Sequence, residues 1–283
     1  MDLSNKHILV TGANGYIGRN LLYFLNGINL RVTAVSRKFN EFLPNIRYFE
    51  KDIFDIENPY EYFGKPNIVL HLAWQDGFIH NSHKHVEQIS KHFKFLNDLI
   101  NSGIDNVNVI GTMHEVGFHQ GMVTNDIITN PTNLYGISKD ALRKSLFSIG
   151  NKKIKWLRLF YIYGNDSSNL SVFGKLFQAA SRGDLFFPIN SGKNQYDFLN
   201  INALVKQLFA ASIQENIFGI INCCSGLPVY LDEMLKKYII INNLNIKLDY
   251  NKFPDRIGDS KIIYGDNTLI NIIMNDFNSQ FLF

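Results

Sequence analysis

Thr11-Gly12-Ala13-Asn14-Gly15-Tyr16-Ile17-Gly18 constrains the fold more than any other stretch of the 283-residue chain. It follows a short apolar run, His7-Ile8-Leu9-Val10, and opens a helix. The spacing G-x-x-G-x-x-G gives Gly12 the tight turn after the strand. Gly15 lies where backbone must approach a pyrophosphate with no Cβ in the way, and Gly18 where a helix packs closely on a sheet. The helix start offers N–H donors and a favourable dipole to phosphate, with Asn14, Tyr16 and Ile17 completing the loop. A glycine-rich turn of an unrelated α/β fold is the competing reading, and placement directly between strand and helix weighs against it.

The first half repeats this alternation. Apolar runs stand at Arg31-Val32-Thr33-Ala34-Val35, at 46–49, at Asn67-Ile68-Val69-Leu70, at 107–110 and at 154–160, separated by helical stretches at 20–26, 82–101 and 132–149. Short runs between helices predict a parallel sheet covered on both faces. The fold class is therefore α/β, a doubly wound parallel sheet of Rossmann type with a smaller C-terminal substrate lobe. Beyond Gly164 the regularity fades into helices at 171–182, 202–213 and 231–240 and a strand at 219–222. The division expected is a dinucleotide-binding domain at 1–164 and a substrate-binding lobe at 165–283, with some segments returning to the first domain.

Composition narrows the class. With 46% hydrophobic and 19% charged residues the chain is an ordinary globular one, neither disordered nor collagenous nor coiled coil. A net charge of +3 is too small for wrapping nucleic acid. No apolar stretch approaches the roughly 18 residues of a membrane helix, and the N-terminus enters a strand-like run without a signal-peptide pattern. The two cysteines, Cys223 and Cys224, are adjacent and cannot staple distant segments, which fits a reducing cytoplasm.

The end of the second strand bears on the cofactor. An acid there would suit the ribose 2′-OH of NAD, yet the chain reads Ser36-Arg37-Lys38. A hydroxyl, a guanidinium and an ammonium suit a 2′-phosphate, so NADP(H) is favoured and NAD(H) possible. The alternative is a solvated basic turn. Asp52, with Ile53 after the third run, is either an acceptor for the adenine amino group or a helix cap.

Tyr135 and Lys139 lie at i and i+4 on one face of the 132–149 helix. A nearby ammonium, with the positive nicotinamide of an oxidised cofactor, would favour the phenolate and lower the Tyr pKa. Thr112 closes the fifth run at the carboxyl edge of the sheet, where ligands bind.

With these residues in order, the chain resembles the extended short-chain dehydrogenase/reductases, and more narrowly their nucleotide-sugar epimerase/dehydratase/reductase branch. His71-Leu72-Ala73-Trp74 is similar to the family's cofactor-lining fourth-strand motif. The run from Arg158 through Phe160 to Gly164 is similar to the segment that reaches the nicotinamide. Tyr196-Asp197-Phe198 resembles R-D-F/Y, Asn222-Cys223-Cys224-Ser225-Gly226 an N-x-x-S/G turn, and Arg256-Ile257-Gly258-Asp259 the R-x-G-D segment that holds the substrate diphosphate.

The resemblance implies a proton-transferring Tyr135, a Lys139 that tunes it and holds the nicotinamide ribose, and a Thr112 bonded to the reacting oxygen. It implies a nucleotide-sugar substrate, with Arg256 on its diphosphate, and a homodimer built on the 82–101 and 132–149 helices. Tyr196 departs from the family Arg, and Lys193 is the nearby cation that can replace it. Where the family's 4,6-dehydratases carry Asp and Glu after the Thr, this chain has Met113 and His114. Met transfers no proton, so dehydration is disfavoured. His114 is read as packed under the substrate or as an extra base. Glu115 points to the other side if this segment is extended.

His80, His83, His85 and His92 do not share one face, so they read as surface or loop residues with no metal site, His80 or His83 being candidates for a substrate loop after Trp74. The function implied is NADP(H)-dependent reduction of the 4-keto group of a nucleotide-activated deoxysugar in surface-polysaccharide biosynthesis. The alternatives are a 4-epimerase retaining NAD and a non-catalytic dinucleotide sensor.

Overall fold

A computed structural model of the chain describes residues 3–150, 153–164, 170–255 and 258–281. In chain order the first half contains β1 His7–Thr11, α1 Tyr16–Leu25, β2 Arg31–Ser36, β3 Ile46–Glu50, α2 Pro59–Tyr62, β4 Ile68–His71, α3 Lys84–Glu87, α4 Ile89–Asn101, β5 Asn106–Thr112, β6 Gly121–Val123, α5 Leu134–Ser148, β7 Ile154–Leu159 and β8 Tyr161–Tyr163. The second contains α6 Val172–Ser181, β9 Phe186–Pro188, β10 Gln195–Asn200, α7 Ile201–Ile213, β11 Gly219–Cys223, β12 Pro228–Tyr230, α8 Leu231–Ile241, β13 Lys247–Asp249, β14 Ile262–Gly265 and α9 Thr268–Gln280.

The main sheet runs β11-β7-β5-β4-β1-β2-β3, every pair parallel. Strands β1, β5 and β7 are buried along their whole lengths, which accounts for their largely apolar sequences, and the polar residues within β5 and β7 (Asn106, Asn108, Lys155, Arg158) are buried too. One face is covered by α1, α7 and α9 around Leu21, Leu208 and Ile273, the other by α2, α4 and α5 around Phe63, Leu96 and Leu142. From β1 the chain proceeds to β2 and β3 on one side, then returns to β4 on the other. That reversal opens a crevice above the carboxyl ends of β1 and β4, the place where doubly wound sheets bind ligands.

The smaller lobe holds the sheet β12-β10-β14-β6, with β8 against β10, and the β13-β9 pair. Its core gathers Phe173, Leu176, Phe198, Leu235 and Tyr238. The chain passes between the two bodies repeatedly: β11 extends the main sheet, while β6 joins the small one.

Two helices differ from expectation. The 82–101 stretch is broken at Gln88 into α3 and α4. The Gln88 amide reaches back to Gln75 Oε1 at 3.0 Å, and the His85 ring is bonded to Trp74, so the first turn is anchored to the loop after β4. Helix α5 starts at Leu134 because the Asn133 side chain accepts the Gly136 N–H at 2.9 Å.

Candidate active site

The glycine loop is built as its spacing requires, with one difference. Gly12 has φ +65°, and a Cβ there would fall 2.6 Å from the Ala73 backbone, so the β1 and β4 turns touch at a point only glycine allows. Gly18 is required by the loop itself rather than by the sheet: a Cβ would meet the carbonyls of Gly12 and Ala13 at 2.6 Å. At Gly15 a Cβ would approach only the Gly12 carbonyl, at 3.1 Å, which leaves that side open. Gly15 is also the N-cap of α1 and, having no side chain, supplies no cap, so the positive end of the helix faces this open side, where an anion is favoured.

The loop is braced from outside. Arg19 Nη1 donates to the Asn14 carbonyl at 2.6 Å, the Ala13 N–H to the Val35 carbonyl at 3.3 Å, and the Tyr16 hydroxyl to the Gly164 carbonyl. An open glycine face beside an uncapped helix start fits the pyrophosphate of a dinucleotide.

At the end of β2, Ser36 is half-buried and Arg37 and Lys38 are exposed. Glu50, the register partner of Ser36, accepts the Phe39 N–H at 2.8 Å. Asp52 caps the short 3₁₀ turn Ile53–Asp55 by accepting the Phe54 N–H at 3.1 Å, and Ile53 is buried below it. Leu72, Ala73 and Trp74 leave β4 half-buried along the crevice. Phe160 and Met113 are buried in an apolar cluster with Val116, Val123, Cys224 and Ile263, between the two bodies.

The catalytic residues implied by the sequence meet. Thr112, at the end of β5, and Tyr135, on α5, come together, the Thr112 side chain opposing the upward push on the Tyr135 phenol, and Thr112 Oγ1 accepts the His114 N–H at 3.3 Å. Lys139 Nζ donates to the Ile110 carbonyl at 2.7 Å. Burial pushes the Tyr135 phenol well above its ordinary range. Lys139 itself is driven down to about 7 by burial, against the pull of Glu115.

Two of the histidines correct the sequence reading. His83 is exposed, but His85 and His92 are 1% exposed, and His80 packs on the site. Trp74 Nε1–H donates to His85 Nδ1 at 3.0 Å, which leaves Nε2–H to donate to the Ile79 carbonyl at 3.0 Å and fixes a neutral tautomer. His92 stacks on Trp74 with ring centres 4.5 Å apart and bonds His71 at 2.9 Å; His71 in turn bonds Thr11 Oγ1 at 2.9 Å. Burial pushes both rings down, His71 to about 3, so both are neutral braces of the β1–β4 crossing. His80 stacks 5.8 Å from the Tyr135 ring and 4.3 Å from His114.

Glu115 is a second correction. Residues 113–115 form a 3₁₀ turn rather than an extended strand, and Glu115 turns inward, fully buried. Thr112 and Glu115 form a reciprocal capping box. The sequence carried its signal, T-x-x-E directly after an apolar run.

On the substrate side, Lys193 is exposed in the loop before β10, and Arg256 lies outside the described residues. The loop that carries Lys193 meets Asp255, since Ser191 Oγ donates to the Asp255 carboxylate at 2.9 Å. Tyr196 takes the Asn194 amide at 3.0 Å and packs 4.4 Å from the Tyr161 ring, so it does not replace the family Arg as a cation. Among the described residues no group of three or more His, Cys, Asp or Glu could hold a metal ion, and no helix is long and apolar enough to cross a membrane.

The model of the NAD dependent epimerase/dehydratase family matches residues 8–224. The chain belongs to this family.

One relative is the dTDP-6-deoxy-L-talose 4-dehydrogenase (NAD(+)) of Aggregatibacter actinomycetemcomitans, 38% identical over 268 residues, spanning 92% of this chain and 99% of the relative. Among solved members of the fold, the UDP-N-acetylglucosamine 4-epimerase of Methanobrevibacter ruminantium, in complex with UDP-N-acetylmuramic acid, superimposes with a TM-score of 0.82 at 20% identity, over 95% of this chain and 91% of that one. The UDP-glucuronic acid 4-epimerase of Bacillus cereus, in complex with UDP-glucuronic acid and NAD, gives 0.81 at 19%, over 95% and 93%. These last two show the fold. None of the three names carries NADP, so the NADP preference read at Ser36-Arg37-Lys38 gains no support from them.

Proposed function

We propose that the protein exchanges a hydride with C4 of a nucleotide-linked 6-deoxyhexose, reducing a 4-keto group in the synthetic direction. The observation that carries this is the meeting of Thr112 and Tyr135 at the carboxyl edge of the sheet, with Lys139 buried one turn further along α5 and donating to the Ile110 carbonyl at 2.7 Å. The name of the 38%-identical relative supports both the carbon and the deoxysugar. Surface-polysaccharide biosynthesis is the setting in which such sugars are used.

Tyr135, held above the ordinary phenol range, keeps its proton at neutral pH and gives it to the C4 oxygen. Thr112 orients that oxygen and the phenol together. Gly12, Gly15 and the start of α1 would hold the pyrophosphate of a dinucleotide, and Lys139 and Trp74 would hold its nicotinamide ribose. A bound nicotinamide dinucleotide supplies or accepts the hydride. Met113, enclosed in an apolar cluster, leaves water elimination without an acid at that position.

Two observations bear on the dinucleotide. The relative is named for NAD(+), while exposed Arg37 and Lys38, with Ser36 and no carboxylate closing β2, suit a 2′-phosphate. Both cofactors are accepted on this reading, and Arg37 sets their ratio. Residues 1–164 mainly serve the cofactor and 165–283 the sugar, with β11 returning to the main sheet and β6 and β8 joining the small one, and Lys193 and Arg256 serve the diphosphate. The chain works as a homodimer through α4 and α5, where Ile137 is exposed. A light-scattering mass of one chain would remove the dimer.

The test is a panel of nucleotide-linked 4-keto-6-deoxy sugars with NADH or NADPH, followed at the nicotinamide absorbance. Stoichiometric oxidation of the cofactor is expected. Tightly retained NAD, with two hydroxy-sugars interconverting and no net absorbance change, would establish the 4-epimerase instead.

A further inference from the structure

Glu115 sits behind the reacting groups. Its side chain is fully buried, a place a carboxylate occupies only with partners. Oε1 accepts the Thr112 N–H at 2.6 Å, and both oxygens lie 2.9 Å from the Trp156 indole N–H. Arg158 Nε stands 3.5 Å away and Arg143 Nε 4.0 Å. Arg143 follows Lys139 by one turn of α5, so one carboxylate joins the end of β5, the helix bearing Tyr135 and Lys139, and β7. Gly111 makes the room: a Cβ there would fall 2.7 Å from Glu115 Oε1 and 2.0 Å from Trp156 Nε1.

Thr112 is thereby fixed from two directions. Its N–H is held by Glu115, and its Oγ1 accepts the His114 N–H, which leaves the hydroxyl proton to face Tyr135. We propose that Glu115 is a positioning residue for hydride exchange, acting through Thr112 by fixing the strand-end backbone so that the Thr112 hydroxyl meets the Tyr135 phenol. This rests on the catalytic reading of Thr112 and Tyr135 given above. A carboxylate that only stabilised the fold would change the yield of folded protein and leave each folded molecule at full speed.

The experiment uses the full chain carrying Glu115→Asp, alone and with Thr112→Val. Aspartate keeps the charge that Arg158 and Arg143 need but falls one methylene short of the Thr112 N–H. Glu115→Gln leaves Arg158 facing an amide and is the variant expected to fold poorly, so Glu115→Asp carries the test. Folded protein is quantified by circular dichroism and dinucleotide binding by calorimetry.

Per folded molecule, Glu115→Asp is expected to lower kcat by about tenfold or more, with sugar KM and dinucleotide Kd changed by less than about threefold. The double variant is expected to be no slower than Thr112→Val alone, to within about twofold, because both changes act through one hydroxyl. An unchanged kcat, a multiplicative double variant, or a Glu115→Asp chain that does not fold assigns Glu115 to stability and overturns the proposal. A wild-type protein that converts no nucleotide sugar overturns the catalytic reading, and this inference with it.

Discussion

The ammonium of Lys139 lies 4.0 Å from the centre of the Trp74 indole ring. The same indole stacks on His92 and donates its N–H to His85, so the aromatic face above the buried lysine is held in place by two neutral imidazoles. A buried ammonium has few ways to stay charged. The indole face provides one, the Ile110 carbonyl another.

Trp74→Ala removes a cation–π contact of about 0.5–2 kcal/mol, so turnover is expected to fall by about tenfold. Trp74→Phe keeps a π face but loses the bond to His85, and should fall between the two. Steady-state kcat for the three proteins is the measurement. An alanine variant at the wild-type rate would separate the indole from Lys139 function.

Lys155 gives a pH prediction of a different kind. It is buried under the C-terminus of α7, with Nζ donating to the carbonyls of Ala211, at 2.8 Å, and Gln214. Burial drives it down to about 7, below the value of about 10.4 for an unfolded lysine. The unfolded chain therefore binds more protons between these values, and stability rises with pH across that window. The cost of burying the ammonium is present in full below about 7 and fades as pH approaches about 10. Lys155→Met should flatten this rise when denaturant midpoints are compared from neutral to alkaline pH. Equal slopes in both proteins would remove Lys155 as its source.

Arg37 separates the two dinucleotides. Arg37→Ala is expected to weaken NADPH by about tenfold and NADH by less than about threefold, since only the former presents a phosphate to a guanidinium. Calorimetric Kd values decide it. Equal weakening of both would return Arg37 to a solvated turn.

What was legible in the sequence follows from how far apart the informative residues stand. Gly12, Gly15 and Gly18 carry their signal within one turn, as do Tyr135 and Lys139, although Gly18 proves to be needed by the loop rather than by the sheet. His85 and His92 read as surface because their partners are brought by tertiary contact: Trp74 and Ile79 for the one, His71 and Trp74 for the other. Glu115 was readable as a capping box, but continuing β5 through it as an extended strand reversed its direction. The 82–101 helix failed for a related reason, since the Gln88–Gln75 bond that interrupts it joins segments on either side of a loop. The spacing of Tyr135 and Lys139 puts both on one helical face, but could not show that the Lys139 ammonium donates to the Ile110 carbonyl of β5.

The central claim is a hydride transfer between the nicotinamide and C4 of the sugar. Reduced cofactor carrying deuterium at the transferable nicotinamide position, incubated with a nucleotide-linked 4-keto-6-deoxyhexose, tests it by mass spectrometry and NMR of the product. The account predicts deuterium at C4 of the sugar, and its loss when Tyr135 is replaced by Phe. A product without deuterium, or with deuterium at another carbon, would contradict it.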